Sequence, residues 1–444
     1  MRARKGLPAR IGARPGRRPI IALALLAAAC GQAEADRHAG APGDEDGAGA
    51  PAARTGPVRP GLDVLLTDSA HLVRGRRVGL ITNRSGVTRD GRSAIDALSA
   101  LEGVELVTLF SPEHGIRGVA AEGEWIGDEV DAASGLPVVS LYGGSRAPTP
   151  EALADLDALV FDLQDIGARY YTYVSTMAYA MRAAGEAGVR FVVLDRPNPI
   201  AGLVQGPVLE PGFATFVGLY PVPVRHGMTS GELARLYAGA FGIAVELHVV
   251  PADGWGRDMW FDETGLPWIP PSRNMPALES ATHYPGTCLF EGTNLSVGRG
   301  TPAAFQQIGA PWLEADTLVA RLRARGLSGV RVEAVEFVPE RPSDGKFDGE
   351  TLRGVRFTVT DRDTYDPVRT AVMALREARD LAGTRWEWNE PHFDRLAGSD
   401  GLRRAIEAGG EPDSIVASWD RGLDAFRRLR VPYLLYGETT ARGR

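Results

Sequence analysis

Short apolar runs, each closed by a polar loop and followed by a segment of helical spacing, recur along the chain from about residue 76. RRVGLITN (76–83), VELVTLF (104–110), LPVVSLY (136–142), DALVFDLQD (157–165) and RFVVLDRPNP (190–199) read as buried strands. Between them, SAIDALSAL (93–101), residues 150–157 and TYVSTMAYAMRAAGEAG (172–188) carry apolar positions at helical spacing. Apolar β-branched runs alternating with helices indicate a parallel sheet covered on both faces. The expected architecture is α/β, with a doubly wound lobe over residues 59–206.

The pattern is less regular over 207–444. Thr229 or Ser230 caps a helix over 230–241, followed by the strand AVELHVV (244–250). Residues 252–312 are rich in Gly, Pro, Trp and Asn and read as a long ordered loop region, a feature often tied to function. Helix 314–325, strands VRVEAVEFVP (330–339) and RGVRFTVTD (353–361), helix 366–380 and a last helix around 420–428 complete a second, α+β lobe.

The first thirty residues stand apart. Basic residues from Arg2 to Arg18 precede the apolar run IIALALLAAA (20–29) and Cys30. That run is too short to anchor as a spanning helix and reads as an export signal. A cysteine at the cut resembles a bacterial lipoprotein signal, so Cys30 is the expected lipidation site and the protein an exported, cell-envelope one. Residues 31–58 hold Ala, Gly, Pro, Asp and Glu with almost no large apolar groups, and read as a disordered tether. The other cysteine, Cys288, has no disulfide partner left within the mature chain, so stability must come from a buried core. The net charge of −7 gives no nucleic-acid surface, and no protein partner can be inferred.

In a parallel sheet, ligands bind at the carboxyl ends of the strands. Those ends carry Asn83 and Arg84, Glu113 and His114, Tyr142, Asp162 and Asp165, and Asp195, Arg196 and Asn198. Capping of the next helix explains any one of them; Glu113-His114-Gly115 and the stretch 162–173 together point to a site. A dinucleotide cofactor is not expected, because Ile81-Thr82-Asn83-Arg84-Ser85-Gly86 lacks the glycine fingerprint. There is no Walker loop and no nucleophile elbow. His114, His226 and His283 lack close metal-site spacing, so no metal ligands are assigned. Interleaved aromatics, including Tyr171 and Tyr173, suit binding of sugar faces.

SPEHGIRG (111–118), DLQDIGARYYTY (162–173), DRPNPIAG (195–202), HGMTSGELA (226–234), PPSRNMP (270–276) and HYPGTCLFEGTNLSVGRGTPAAFQQIGAPW (283–312) resemble the bacterial exo-acting β-N-acetylmuramidases. The likeness runs from about residue 60 to the end, leaving 380–420 unmatched. It implies a Rossmann-like lobe joined to a smaller α+β lobe, with the active site in the cleft between them. It also implies release of terminal N-acetylmuramic acid from the non-reducing end of peptidoglycan fragments.

Glycoside cleavage generally needs two acids. Glu113 is the expected proton donor, matching the family's proposed catalytic glutamate. Glu124 (in AAEGEW, 120–125) is the expected second acid, with Asp165 and Glu291 as rivals and a substrate-assisted route also open. The lactyl carboxylate of muramic acid calls for a guanidinium; Arg169, Arg196, Arg273 and Arg299 are the candidates. Asn83, His114, Asn198, Asn274 and Asn294 join the tyrosines as expected substrate contacts. The rival readings are a non-catalytic wall-binding lipoprotein and a metal-dependent hydrolase using His114, His226 and His283.

Overall fold

The computed structural model describes residues 57–117 and 129–437. The leader with Cys30, nearly all of the tether and Glu124 lie outside the described residues. In chain order the strands are β1 (Arg76–Thr82), β2 (Val104–Ser111), β3 (Glu129–Val130), β4 (Pro137–Ser140), β5 (Ala158–Asp162) and β6 (Arg190–Leu194). They continue as β7 (Gln205–Val208), β8 (Pro223–Arg225), β9 (Leu247–Val250), β10 (Gln307–Ala310), β11 (Val330–Phe337) and β12 (Leu352–Val359).

Seven of them form one sheet in the order β3-β4-β2-β1-β5-β6-β9. All its pairs are parallel except β3 with β4 at the edge. The sequence explains the middle of this sheet. β5 is buried at every residue, as a central strand covered on both faces must be. In β6, Phe191 and Val193 face one core while Val192 and Leu194 face another, the period of two that a strand imposes. The doubly wound expectation holds, but the sheet does not end at residue 206. The strand expected at 244–250 in the second lobe pairs instead with β6, Phe191 opposite Leu247.

The smaller lobe carries the antiparallel sheet β10-β12-β11. Residues 252–312 are not all loop. A helix runs from Leu278 to Thr287, a 3₁₀ segment follows (Cys288–Gly292), and β10 closes the region. That helix escapes a pattern reading because it is buried continuously from Ser280 to Thr287, leaving no polar face to mark it. Pro285 inside it removes one N–H, and its own carbonyl accepts from the hydroxyl of Tyr170. The unmatched stretch 380–420 folds as short helices, Glu390–Ala397, Gly401–Glu407 and Pro412–Ala417.

One apolar core runs from the sheet face of Phe110, Phe161 and Phe191 into Phe290, Val355 and Leu375 of the smaller lobe. The opposite sheet face has its own core, including Leu62, Leu80 and Val160. The lobes are thus joined by continuous packing. The chain end returns to the large sheet, where the Tyr436 hydroxyl donates to Asp195 at 2.6 Å.

Candidate active site

β2 ends at Ser111 and the chain turns at once. Pro112 is followed by Glu113, then by His114 at φ 74° and Gly115 at φ 73°, with the Gly115 amide donating to Pro112 O at 3.0 Å. A left-handed conformation costs a histidine about 1–2 kcal/mol, and such strain persists where the surroundings enforce it. The turn lifts Glu113 over the carboxyl edge of the sheet. Its side chain is buried, and the hydroxyl of Thr172 donates to Oε2 at 2.6 Å. Thr172 immediately precedes the helix Tyr173–Ala187, in the loop beyond β5. The ends of β2 and β5, which flank β1 in the sheet, therefore fix one carboxyl group.

Glu113 and His114 line a cavity of about 320 Å³ where the lobes meet. That size falls within the roughly 300–1,000 Å³ usual for small-molecule sites. The large lobe adds Tyr142, Arg146, Tyr171 and Thr172; the rest of the wall includes Ser272, Asn274, Tyr284, Glu291, Arg299, His392 and Arg395. Aromatic rings back it edge to face: Tyr171 on Tyr284 at 6.0 Å, Tyr284 on Phe305 at 4.6 Å. These are the surfaces on which the C–H face of a sugar ring packs.

The far wall is charged and tightly held. Arg299 Nε lies 2.5 Å from Glu291 Oε1, its guanidinium 4.9 Å from the Phe305 ring centre. Lys346 Nζ donates to the carbonyls of Glu291, Thr293 and Leu295 at 3.2, 2.7 and 3.0 Å. Burial opposes the charge on Glu291, but Arg299 outweighs it, with His392 and Lys346 adding to it, and holds the carboxyl below the usual range. Glu291 is thus ionised and already paired.

The structure brings Glu113, His114, Tyr171, Asn274, Glu291 and Arg299 to one cavity; Arg273 is exposed between the lining residues Ser272 and Asn274. Other expected contacts lie elsewhere. Arg169 is buried away from the cavity, donating to the carbonyls of Pro207, Val222 and Leu396 at 2.9, 2.8 and 2.8 Å, so no substrate carboxylate can reach it. Arg196 is buried in a two-point pair with Asp162, at 2.5 and 2.8 Å. Asn83 donates to the Tyr173 hydroxyl at 2.7 Å, which donates to Pro271 O at 2.7 Å; both brace the 270–271 loop from behind. Asn198 holds Met228 O and the Ile200 amide. Asn294 holds Arg385 O and the Glu387 amide.

Asp165 is not a second acid in this cavity. It is buried behind the wall, accepting from the Gly167 amide at 2.7 Å and lying 3.7 Å from His226 Nε2. Burial pushes Asp165 up to about 7, and burial, with Arg430 and Arg169, pushes His226 down to about 3. The histidine is therefore neutral and the contact is not an ion pair. His283 bonds the Tyr365 hydroxyl at 2.7 Å, away from His114. Among the described residues no three His, Cys, Asp or Glu side chains converge as a metal site would require.

Thr172, Arg146, His392 and Arg395 were not singled out from the sequence. The last two stand three apart on the helix Glu390–Ala397 and so share a face, the one available signal.

Comparison with known proteins covers nearly the whole described chain. The family profile "Exo-beta-N-acetylmuramidase NamZ, N-terminal" matches residues 78–279, and "Exo-beta-N-acetylmuramidase NamZ, C-terminal" matches 282–436. The chain is 45% identical over 381 residues to the peptidoglycan beta-N-acetylmuramidase NamZ of Bacillus subtilis (strain 168), covering 85% of this chain and 91% of that protein. Two crystal structures of DUF1343 family proteins from Bacteroides fragilis are similar. One has a TM-score of 0.79 at 36% identity, covering 86% of this chain and 99% of its own. The other has 0.71 at 29%, covering 86% and 100%.

Proposed function

The chain belongs to the exo-β-N-acetylmuramidase family, and from that premise we propose that it removes N-acetylmuramic acid from the non-reducing end of peptidoglycan fragments. It is a glycoside hydrolase. The observation that carries the mechanism is Glu113: a buried carboxyl, oriented by Thr172, opening onto a saccharide-sized cavity between the lobes.

Cleavage of the glycosidic bond develops positive charge on the sugar ring and negative charge on the leaving oxygen. Glu113 protonates that oxygen. Glu124, in the segment outside the described residues, is the group that the family resemblance offers as its partner. Glu291, ionised on the facing wall, adds negative charge near the developing cation while staying paired with Arg299. The tyrosine and phenylalanine edges hold the ring, and Asn274 supplies an amide for its hydroxyls or acetamide. The lactyl carboxylate meets a cavity that holds more cationic than anionic side chains.

The substrate is a cell-envelope polymer. The basic leader, the short apolar run and Cys30 support export and lipid anchoring, with residues 31–58 as the tether. No helix among the described residues is long and apolar enough to cross a membrane. The test is digestion of a peptidoglycan fragment with muramic acid at its non-reducing end. Free N-acetylmuramic acid and a chain shorter by one sugar are expected; internal cleavage, or release from a fragment ending in N-acetylglucosamine, would contradict the reading.

A further inference from the structure

Resting on that reading, the geometry points to Arg395, seconded by His392, as the group that recognises the lactyl carboxylate and so selects muramic acid over glucosamine. Neither residue lies in any of the sequence motifs that carry the family resemblance, although the C-terminal family profile spans both.

The case begins with what each arginine of the cavity already contacts. Arg299 is committed to Glu291 and stacked on Phe305. Arg146 lies with its guanidinium 4.5 Å from the Phe216 ring centre. Arg395 is exposed at the rim, and no carboxylate among the described residues pairs with it. Its one hydrogen-bond partner there is His392, with Nη2 3.3 Å from Nδ1. Arginine only donates, so Nδ1 accepts. Burial, only partly offset by Glu291, holds the His392 imidazole below its ordinary range, so the ring is neutral and its proton sits on Nε2. A guanidinium fork and an imidazole N–H then stand side by side on one helix face, suited to two-point capture of a carboxylate.

The helix that carries them is held against the site from two sides. Phe393, fully buried, sits so close to Gly292 that a Cβ there would lie 2.5 Å from its Cα. On the other side Arg169, from the large lobe, donates to the carbonyl of Leu396, the residue after Arg395. Arg169 thus serves recognition at one remove, by fixing the element that presents Arg395.

The experiment uses the full-length protein with an aryl β-N-acetylmuramide and the same glycoside with its lactyl group methyl-esterified. Wild type should prefer the acid over the ester by about 10- to 100-fold in kcat/KM, the range of one lost charge-assisted pair. Arg395→Met should lose that preference, with a raised KM for the acid and a much smaller loss on the ester. Arg395→Lys should restore part of it, and His392→Gln should reduce it less. Equal losses on both glycosides, or an acid preference that survives Arg395→Met, would overturn the inference. A wild type inert on both glycosides would instead overturn the functional reading beneath it.

Discussion

The hydroxyl of Thr172 donates to Oε2 of Glu113 at 2.6 Å, tying the loop beyond one strand to the turn beyond another. An oxygen that accepts this bond is a poor place for the acid's own proton, so that proton belongs on Oε1. Thr172 is a positioning residue. Thr172→Val should lower kcat about 10-fold with little change in KM, the loss expected of one misplaced proton donor. Thr172→Ser should restore most of the rate. Steady-state kinetics on one aryl muramide reads both; a change confined to KM would contradict the role.

Arg169 spans the lobes through three backbone carbonyls and no carboxylate. Arg169→Met leaves those acceptors buried and unpaired, partly offset by removal of a buried charge. A net loss of about 2–4 kcal/mol is expected. Urea unfolding at neutral pH measures it.

Asp165 gives a pH signature. Its folded pKa, about 7, lies above the ordinary 3.8 because burial penalises the charge, with the Gly167 and Ile166 amides opposing weakly. The folded state therefore binds more protons than the unfolded one between those values. The contribution of Asp165 is fully present below 3.8 and is lost as pH rises through about 7. Asp165→Asn removes that slope. The variant should gain on wild type as pH rises from 5 to about 7, by about 3 kcal/mol at ~1.4 kcal/mol per unit, and little more from there to 8. Urea midpoints at these pH values check the sign.

The large sheet was legible because β1, β5 and β6 are apolar runs buried over nearly all their length and β2 over its last three residues, and the turn at Glu113 because a proline and a glycine bracket it. What the sequence could not convey is which way a polar residue at a strand end faces. Arg196 points inward because Asp162, 34 positions away, answers its fork. Arg169 does so because carbonyls 38, 53 and 227 residues distant converge on it. Asn198 and Asn294 spend both ends of their amides on neighbouring backbone. The reverse error hid Arg395 and His392. They sit on an ordinary amphipathic helix, and the seat of Phe393 on Gly292, with the Arg169 bond to Leu396 O, holds that helix against the cavity.

The most direct test of Glu113 as proton donor compares wild type with Glu113→Gln on two aryl β-N-acetylmuramides, one with a strongly acidic phenol as leaving group and one with a weakly acidic phenol. A good leaving group departs without protonation, whereas a poor one cannot. The variant should lose about 10²–10⁴-fold on the weakly acidic phenol, the usual worth of general acid catalysis, and far less on the other. Equal losses on both, or activity retained on the poor leaving group, would contradict the account.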